Sequence, residues 1–381
     1  MTRDNNGTII VNMIKRYLEK QVKESLNDNM VTVLYGARQV GKTTLAKKIL
    51  NSSASGLYLD CDDPTIIRNI QNASLHKLKS IVNNYDLIVI DEAQRVENIG
   101  LTAKLIHDNL PEKKLLLTGS SSLDLANKVK EPLTGRSNEL MLYPVAIKEL
   151  AENTLKAENI LPTLMIYGGY PGLWGISPIK ASKMARNIAN NYIYKDAFAL
   201  NTIYDQTVLN NLLRLLAHQI GNEVSYSELA GHLEVSKETI MRYIDLLEEA
   251  FIIFRRPQYR KNKRSLIGRL RKIYFYDLGI RNALIDDFRD LEFRSDVGQL
   301  WENLILVERL KLHQKKEQYT RSYYWRSRDK QEVDLIEEIS TTTLAFECKF
   351  KKNAKIPKGF VNTYPEIPFK VISKDNYWDY I

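Results

Sequence analysis

Between an apolar run, Val31-Thr32-Val33-Leu34-Tyr35, and a helical stretch, Leu45 to Leu50, stands Gly36-Ala37-Arg38-Gln39-Val40-Gly41-Lys42-Thr43-Thr44. It reads G-x-x-x-x-G-K-T in the order strand, loop, helix. Few sequence features restrict a fold so tightly. The glycines let the backbone curl so that successive N–H groups face inward, where they can surround phosphate oxygens. The helix that follows adds its positive dipole end. Lys42 offers a charge to β- and γ-phosphates, and the Thr43 hydroxyl offers magnesium a ligand. Gly36 to Thr44 is therefore the expected site for ATP with Mg2+.

A second apolar run, Leu87-Ile88-Val89-Ile90, suits a buried parallel strand and ends in Asp91-Glu92-Ala93-Gln94. Acids at the C-terminal end of such a strand stand where open α/β sheets build their sites. Asp91 fits the magnesium carboxylate and Glu92 the base that polarises an attacking water. A third strand, Lys114 to Thr118, runs into Gly119-Ser120-Ser121-Ser122. Thr118 and Ser120 are candidate γ-phosphate sensors, or else residues that cap the next helix. Arg136, in Leu133-Thr134-Gly135-Arg136-Ser137, is a candidate arginine finger, in cis or in trans, or else a surface arginine in a turn.

The 381 residues exceed one ordinary core, so two or three domains are expected. The formal net charge of +9 favours an acidic partner such as nucleic acid. Cys61 and Cys348 are far apart and form neither a metal-ligand spacing nor a disulfide framework, which points to a reducing, cytoplasmic setting. No secretory signal is visible, and no run approaches the roughly 18 apolar residues that span a bilayer, so no membrane association is expected.

After Asp205 the pattern turns helical. Val208 to Ile220, Ser225 to Leu233 and Val235 to Leu247 read as three helices, the last with Ile240, Tyr243, Ile244 and Leu247 on one face. A short turn between the last two makes a helix-turn-helix. Phe251 to Phe254 and Lys272 to Tyr276 would form a wing. Lys237, Thr239 and Arg242 would point away from the core. From Arg255 to Lys272 there are nine basic residues and no acid. Arg256, Arg260, Lys261, Lys263 and Arg264 are expected to share a loop suited to phosphates, although such a loop can also be simply solvated.

The helical stretch Val297 to Leu312 is apolar on several faces yet contains Glu302, and a buried carboxylate needs a partner or a metal. Two strands follow, Gln331 to Glu337 and Thr343 to Phe350. By strand alternation Glu332 shares a face with Asp334, and Glu347 with Lys349. Pairing of these strands could bring Asp334, Glu347 and Lys349 together with Glu302. Two carboxylates plus a lysine suit metal-assisted phosphodiester hydrolysis. The order Asp334, Glu347-Cys348-Lys349 looks like the PD-(D/E)XK nuclease pattern.

The chain as a whole resembles the prokaryotic AAA-like ATPases that carry a C-terminal restriction-endonuclease-like domain. The likeness runs through Gly36 to Leu45, Ile90 to Gln94, Leu117 to Ser120 and Leu133 to Arg136 with Leu142-Tyr143-Pro144. It continues through Gly168-Gly169-Tyr170-Pro171, Lys195-Asp196, Trp301-Glu302-Asn303, Glu332-Val333-Asp334 and Glu347-x-Lys349. It implies an α/β P-loop NTPase domain with a small helical lid over residues 1–205. A winged-helix module over 206–290 and an α/β endonuclease-like domain over 291–381 would follow. The expected function is magnesium-dependent ATP hydrolysis coupled to action on or near nucleic acid, with DNA favoured over RNA and both left open. Two alternatives stay open: a nucleotide switch for a protein partner with an inactive nuclease-like scaffold, and an ATP-regulated nuclease. Homo-oligomers are compatible with each.

Overall fold

The five residues of β1 (Val31–Tyr35) are all buried, as are those of β3 (Leu87–Asp91). Such fully buried and largely apolar strands fit the middle of a sheet covered on both faces. The computed structural model describes residues 2–3, 9–10, 14–119, 129, 132–192, 205–260, 271–351 and 356–381. It divides into two compact units, Met1–Val145 with Glu249–Phe251, and Ala146–Glu248 with Ile252–Ile381.

In the first unit β1 is followed by β2 (Gly56–Asp60), β3, β4 (Lys114–Gly119) and β5 (Ser137–Met141), in the spatial order β2-β3-β4-β1-β5, all parallel. The edge strands β2 and β5 are the more exposed ones. Helix α1 (Leu18–Ser25) precedes β1 and α2 (Lys42–Leu50) follows it. Helices α3 (Pro64–Ile70) and α4 (Leu75–Val82) begin at Asp63 and Ser74, whose side chains accept from the Thr65 and Lys77 N–H groups. Helix α5 (Ile99–Asn109) joins β3 to β4. With β1 flanked by β4 and β5, the C-terminal ends of β1, β3 and β4 lie side by side, where ligands bind in open α/β sheets.

The second unit opens with a short helical turn, Ile147–Leu150, ahead of α6 (Thr154–Tyr167) and α7 (Pro178–Tyr192). Both helices pack on α11 (Leu278–Leu284) of the same unit. The contact explains Gly168-Gly169. Asp277 caps α11 through the Ile280 N–H at 3.1 Å and also accepts from the Gly169 N–H at 2.6 Å. Asn282 donates to the carbonyls of Met165 and Ile166 at 3.0 and 2.8 Å. A Cβ on Gly279 would lie 1.9 Å from the Tyr167 oxygen, so this approach requires glycine.

Three helices come next, α8 (Gln206–His218), α9 (Tyr226–Leu233) and α10 (Lys237–Glu249). A small antiparallel sheet accompanies them, in the order β6 (Glu223–Val224), β8 (Arg271–Phe275), β7 (Ile253–Pro257). Arg256 lies on β7 and is buried, not in a loop as expected. Its neighbour Arg255 is held by Asp245 at 2.7 Å and Glu248 at 2.6 Å. The basic run enters the sheet because its ends pair, Arg271 opposite Pro257 and Lys272 opposite Arg256.

The chain closes with α12 (Val297–Lys315) and a sheet in the order β9 (Thr320–Arg326), β10 (Glu332–Ile339), β11 (Thr342–Cys348), β12 (Phe369–Ile372). The first two pairings are antiparallel and the last is parallel. Asn303 on α12 exchanges two 2.8 Å hydrogen bonds with the backbone of Phe275, which ties α12 to β8.

Candidate functional site

Gly36 leaves β1 at φ +149, where a Cβ would meet the Leu142 carbonyl oxygen at 2.4 Å. Gln39 and Gly41, at φ +61 and +100, keep the loop curled up to the start of α2. Lys42, 5% exposed, folds back over the loop, with Nζ 2.8 Å from the oxygens of both Gly36 and Ala37. Arg16 braces the loop by donating to the Val40 oxygen at 2.7 Å and the Tyr143 oxygen at 2.5 Å. Val40 is buried, Arg38 half-buried, and Gln39 and Thr44 exposed.

Three hydroxyls converge on Asp91, itself 3% exposed. Thr43 Oγ1 donates to Oδ2 at 2.8 Å. Tyr58, on β2, donates to the same oxygen, and Thr118 to Oδ1. Burial, then the Asp91 contact, pushes the Tyr58 phenol far above its ordinary range, so the hydroxyl keeps its proton. Thr118 also accepts from the Glu92 N–H at 3.3 Å. Its place is thus between the two acids. Glu92 takes a left-handed backbone, φ +52, and its Oε2 accepts from the Gln94 amide at 2.6 Å. The loop, Lys42, Thr43, Asp91 and Glu92 stand together. A curled backbone, a buried lysine and a hydroxyl beside a carboxylate fit a nucleotide triphosphate and Mg2+.

Arg136 stands elsewhere. Its carbonyl accepts from the Val31 N–H at 2.8 Å, at the end of β1 opposite the loop, and its guanidinium pairs with Asp108 at 2.8 Å. The structure does not bring it to the loop of its own chain. Ser120 lies outside the described residues. The sequence reading missed Arg16, Tyr58 and Gln94. Only Gln94 carried a signal, two residues beyond Glu92; the others arrive through tertiary adjacency.

In the second unit, Leu335 faces Phe346 across β10 and β11, so Asp334 and Glu347 come next along the two strands. Lys349 Nζ is 2.8 Å from Glu347 Oε1 and 3.9 Å from Asp334 Oδ2. Asp334 also accepts from the Cys348 N–H at 2.8 Å. Glu302, Glu332 and Asp334 each place one carboxylate oxygen within 4.8 Å of the others. Lys272, which the sequence reading missed as a site residue, lies 3.0 Å from Glu302 Oε1 and also pairs with Glu332. The Tyr274 hydroxyl donates to that Glu302 oxygen at 2.5 Å.

Burial pushes the Glu302 carboxyl up to about 7 in spite of Lys272. Burial, then Asp334, pushes Glu347 up to about 7 as well. Asp334 is also raised, chiefly by burial. Glu347 Oε2 is buried and has no hydrogen-bond partner among the described residues. An orphaned buried carboxylate oxygen beside a second carboxylate fits a divalent cation held by Asp334 and Glu347.

Of the candidate nucleic-acid contacts, Lys237 is exposed at the start of α10. The Arg242 guanidinium lies 5.7 Å from the centroid of the Tyr243 ring, and Arg260 donates to Gln258 at 2.9 Å. Lys261, Lys263 and Arg264 lie outside the described residues, as do Lys195 and Asp196.

The parallel sheet and the loop at the C-terminal end of β1 define a P-loop ATPase fold. Within that class, residues 28–151 match the family described as AAA domain. Residues 158–291 and 297–376 match two domains of unknown function, DUF8612 and DUF4143. An uncharacterized protein of Mycobacterium tuberculosis is 27% identical over 350 residues, covering 91% of this chain and 76% of that one. An uncharacterized protein of Methanocaldococcus jannaschii is 24% identical over 320 residues, covering 77% and 69%. Among solved structures, the Walker-type ATPase of Pyrococcus abyssi aligns with a TM-score of 0.52 at 18% identity. That alignment covers 72% of this chain and 96% of the other, and speaks for the fold alone. Among the described residues, no helix is long and apolar enough to cross a membrane.

Proposed function

We propose that the first unit binds ATP with Mg2+ and hydrolyses it, and that turnover is coupled to action on or near nucleic acid. The observation that carries the ATPase reading is the Thr43 hydroxyl 2.8 Å from Asp91, beside a lysine folded into its own loop. The triphosphate would lie along the N–H groups of the loop, with Lys42 released from the carbonyls to meet it. Thr43 and Asp91 would hold the ion, which neutralises phosphate charge when bound. Glu92 would orient the attacking water, and Gln94 fixes where its carboxylate starts from.

The nucleic-acid part rests on α8 to α10 with the small sheet, which supports the winged-helix reading, and on Lys237 with the basic residues Arg260, Lys261, Lys263 and Arg264 that lie between the buried or paired ends of the run. Its test is ATP turnover with and without double-stranded DNA at two salt concentrations. Stimulation that weakens with salt supports it. Turnover indifferent to DNA favours the alternative, a nucleotide switch for a protein partner.

A second reading is supported by the convergence of Asp334, Glu347 and Lys349: metal-dependent phosphodiester cleavage by an endonuclease-like domain. Asp334 and Glu347 would hold Mg2+, which when bound supplies an activated water. Lys349, exposed enough to swing, would offset charge on the phosphate. Cleavage of DNA with Mn2+ that disappears in Glu347→Ala is the expected result, and equal cleavage by both proteins removes this reading.

A further inference from the structure

Neither reading uses Lys272. It lies on β8, yet its side chain is 1% exposed and reaches the carboxylates of α12 and β10. The Tyr324 ring lies beside the ammonium, 5.6 Å from ring centroid to Nζ. Taking an ammonium out of water is strongly unfavourable unless opposite charge meets it. Here Glu302 meets it at 3.0 Å, and Glu332 also pairs with it. Those are two of the three carboxylates whose spacing could hold a metal ion. The third, Asp334, also feels the Lys272 charge, but its hydrogen bond comes from the Cys348 N–H and its nearer cation contact is Lys349 at 3.9 Å.

A divalent ion shared by Glu302 and Glu332 would have to displace this ammonium. We propose that Lys272 is the resident cation of the Glu302–Glu332 half of the cluster and stands in for a divalent ion there. Glu302, expected from the sequence as a metal ligand, is then the partner of Lys272. Any metal is confined to the Asp334–Glu347 side. The inference needs only the charge balance of the cluster and holds whether or not the domain cleaves nucleic acid.

The test compares the full chain with Lys272→Met and with the double variant Lys272→Met, Glu302→Gln. Methionine keeps the length and removes the charge. Thermal unfolding and calorimetric titration with Mn2+ alone, without nucleotide, are the two readouts. Removing one partner of a buried ion pair should lower the melting temperature of Lys272→Met by about 10 °C. Millimolar Mn2+ should recover most of that loss. Lys272→Met should also bind one more Mn2+ per chain than the unaltered protein. The double variant should lose that additional ion and melt above the single variant without metal. Equal Mn2+ stoichiometry in Lys272→Met and the unaltered protein overturns the proposal. If Lys272→Met does not fold even in Mn2+, the double variant decides. A folded double variant supports the charge balance, and an unfolded one refutes it.

Discussion

The hydroxyl of Thr43, in the first turn of α2, donates to Oδ2 of Asp91 at the end of β3, 2.8 Å away. Two residues 48 apart in sequence thus form one side of a site that neither strand nor helix could make alone. Thr43→Ala and Asp91→Asn are each expected to raise the Mg2+ concentration needed for half-maximal ATP turnover. Each should lower kcat by about two orders of magnitude, the scale of a lost charge-stabilising contact at a reacting centre. A Mg2+ titration of turnover checks this; an unchanged midpoint in both variants contradicts it.

Glu92 is separated from its neighbours by role as well as by backbone, with φ +52 and a carboxylate held by Gln94. Glu92→Gln should bind ATP as the unaltered protein does and turn it over about 10²–10⁴-fold more slowly. Gln94→Ala removes only the restraint, so its turnover should change less than about tenfold. Nucleotide binding and single-turnover rates measured on both variants separate the two roles.

How far the sequence discloses these features depends on their range. The loop from Gly36 to Thr44 and the acids at Asp91 and Glu92 were legible because each is a local pattern in its own strand context. Helices α8 to α10 were legible within a few residues, since Asp205, Ser225 and Ser236 cap them and their apolar periodicity is strong. Tyr58, Arg16 and Lys272 were not. Each acts on a partner fixed by sheet order or by packing between distant elements. Arg256 was misplaced because a basic run reads as a solvated loop, whereas strand pairing and burial draw its ends into a sheet. Arg136 sits in a plausible motif, but the parallel pairing of β5 with β1 puts it at the far end of the strand.

The close approach of α11 to the end of α6 gives a stability test. Gly279→Ala puts a Cβ 1.9 Å from a backbone oxygen that cannot rotate away. A loss of about 1–3 kcal/mol, or more, is expected. Gly298→Ala is the control, because among the described residues no other element lies within 4 Å of a Cβ there. It lies within α12 and should gain roughly 0.5–1 kcal/mol from the lower backbone entropy of alanine. Urea unfolding of the two variants should show opposite signs.

Acid should find Glu337. Burial opposes its ionisation, but His313 and then Arg309 overcome this and hold the carboxyl down at about 2. His313 lies 2.9 Å from Oε2, and Arg309 Nε 2.9 Å from Oε1. The folded value lies below the unfolded one, so this stabilisation is present above about pH 4.5 and lost as pH falls toward about 2. Its size is on the order of 3 kcal/mol. Unfolding measured between pH 5 and pH 2 should be steeper for the unaltered protein than for Glu337→Gln. Equal slopes would show that the contact does not govern acid stability.

The first unit is proposed to turn over ATP through its loop. Steady-state ATP hydrolysis in Mg2+, for the unaltered chain and for Lys42→Ala, tests it most directly. Lys42 is buried against the loop it serves, so its loss removes the charge meant for the phosphates. Turnover that requires Mg2+ and falls to background in Lys42→Ala is the predicted result. Turnover undiminished in Lys42→Ala would contradict the account.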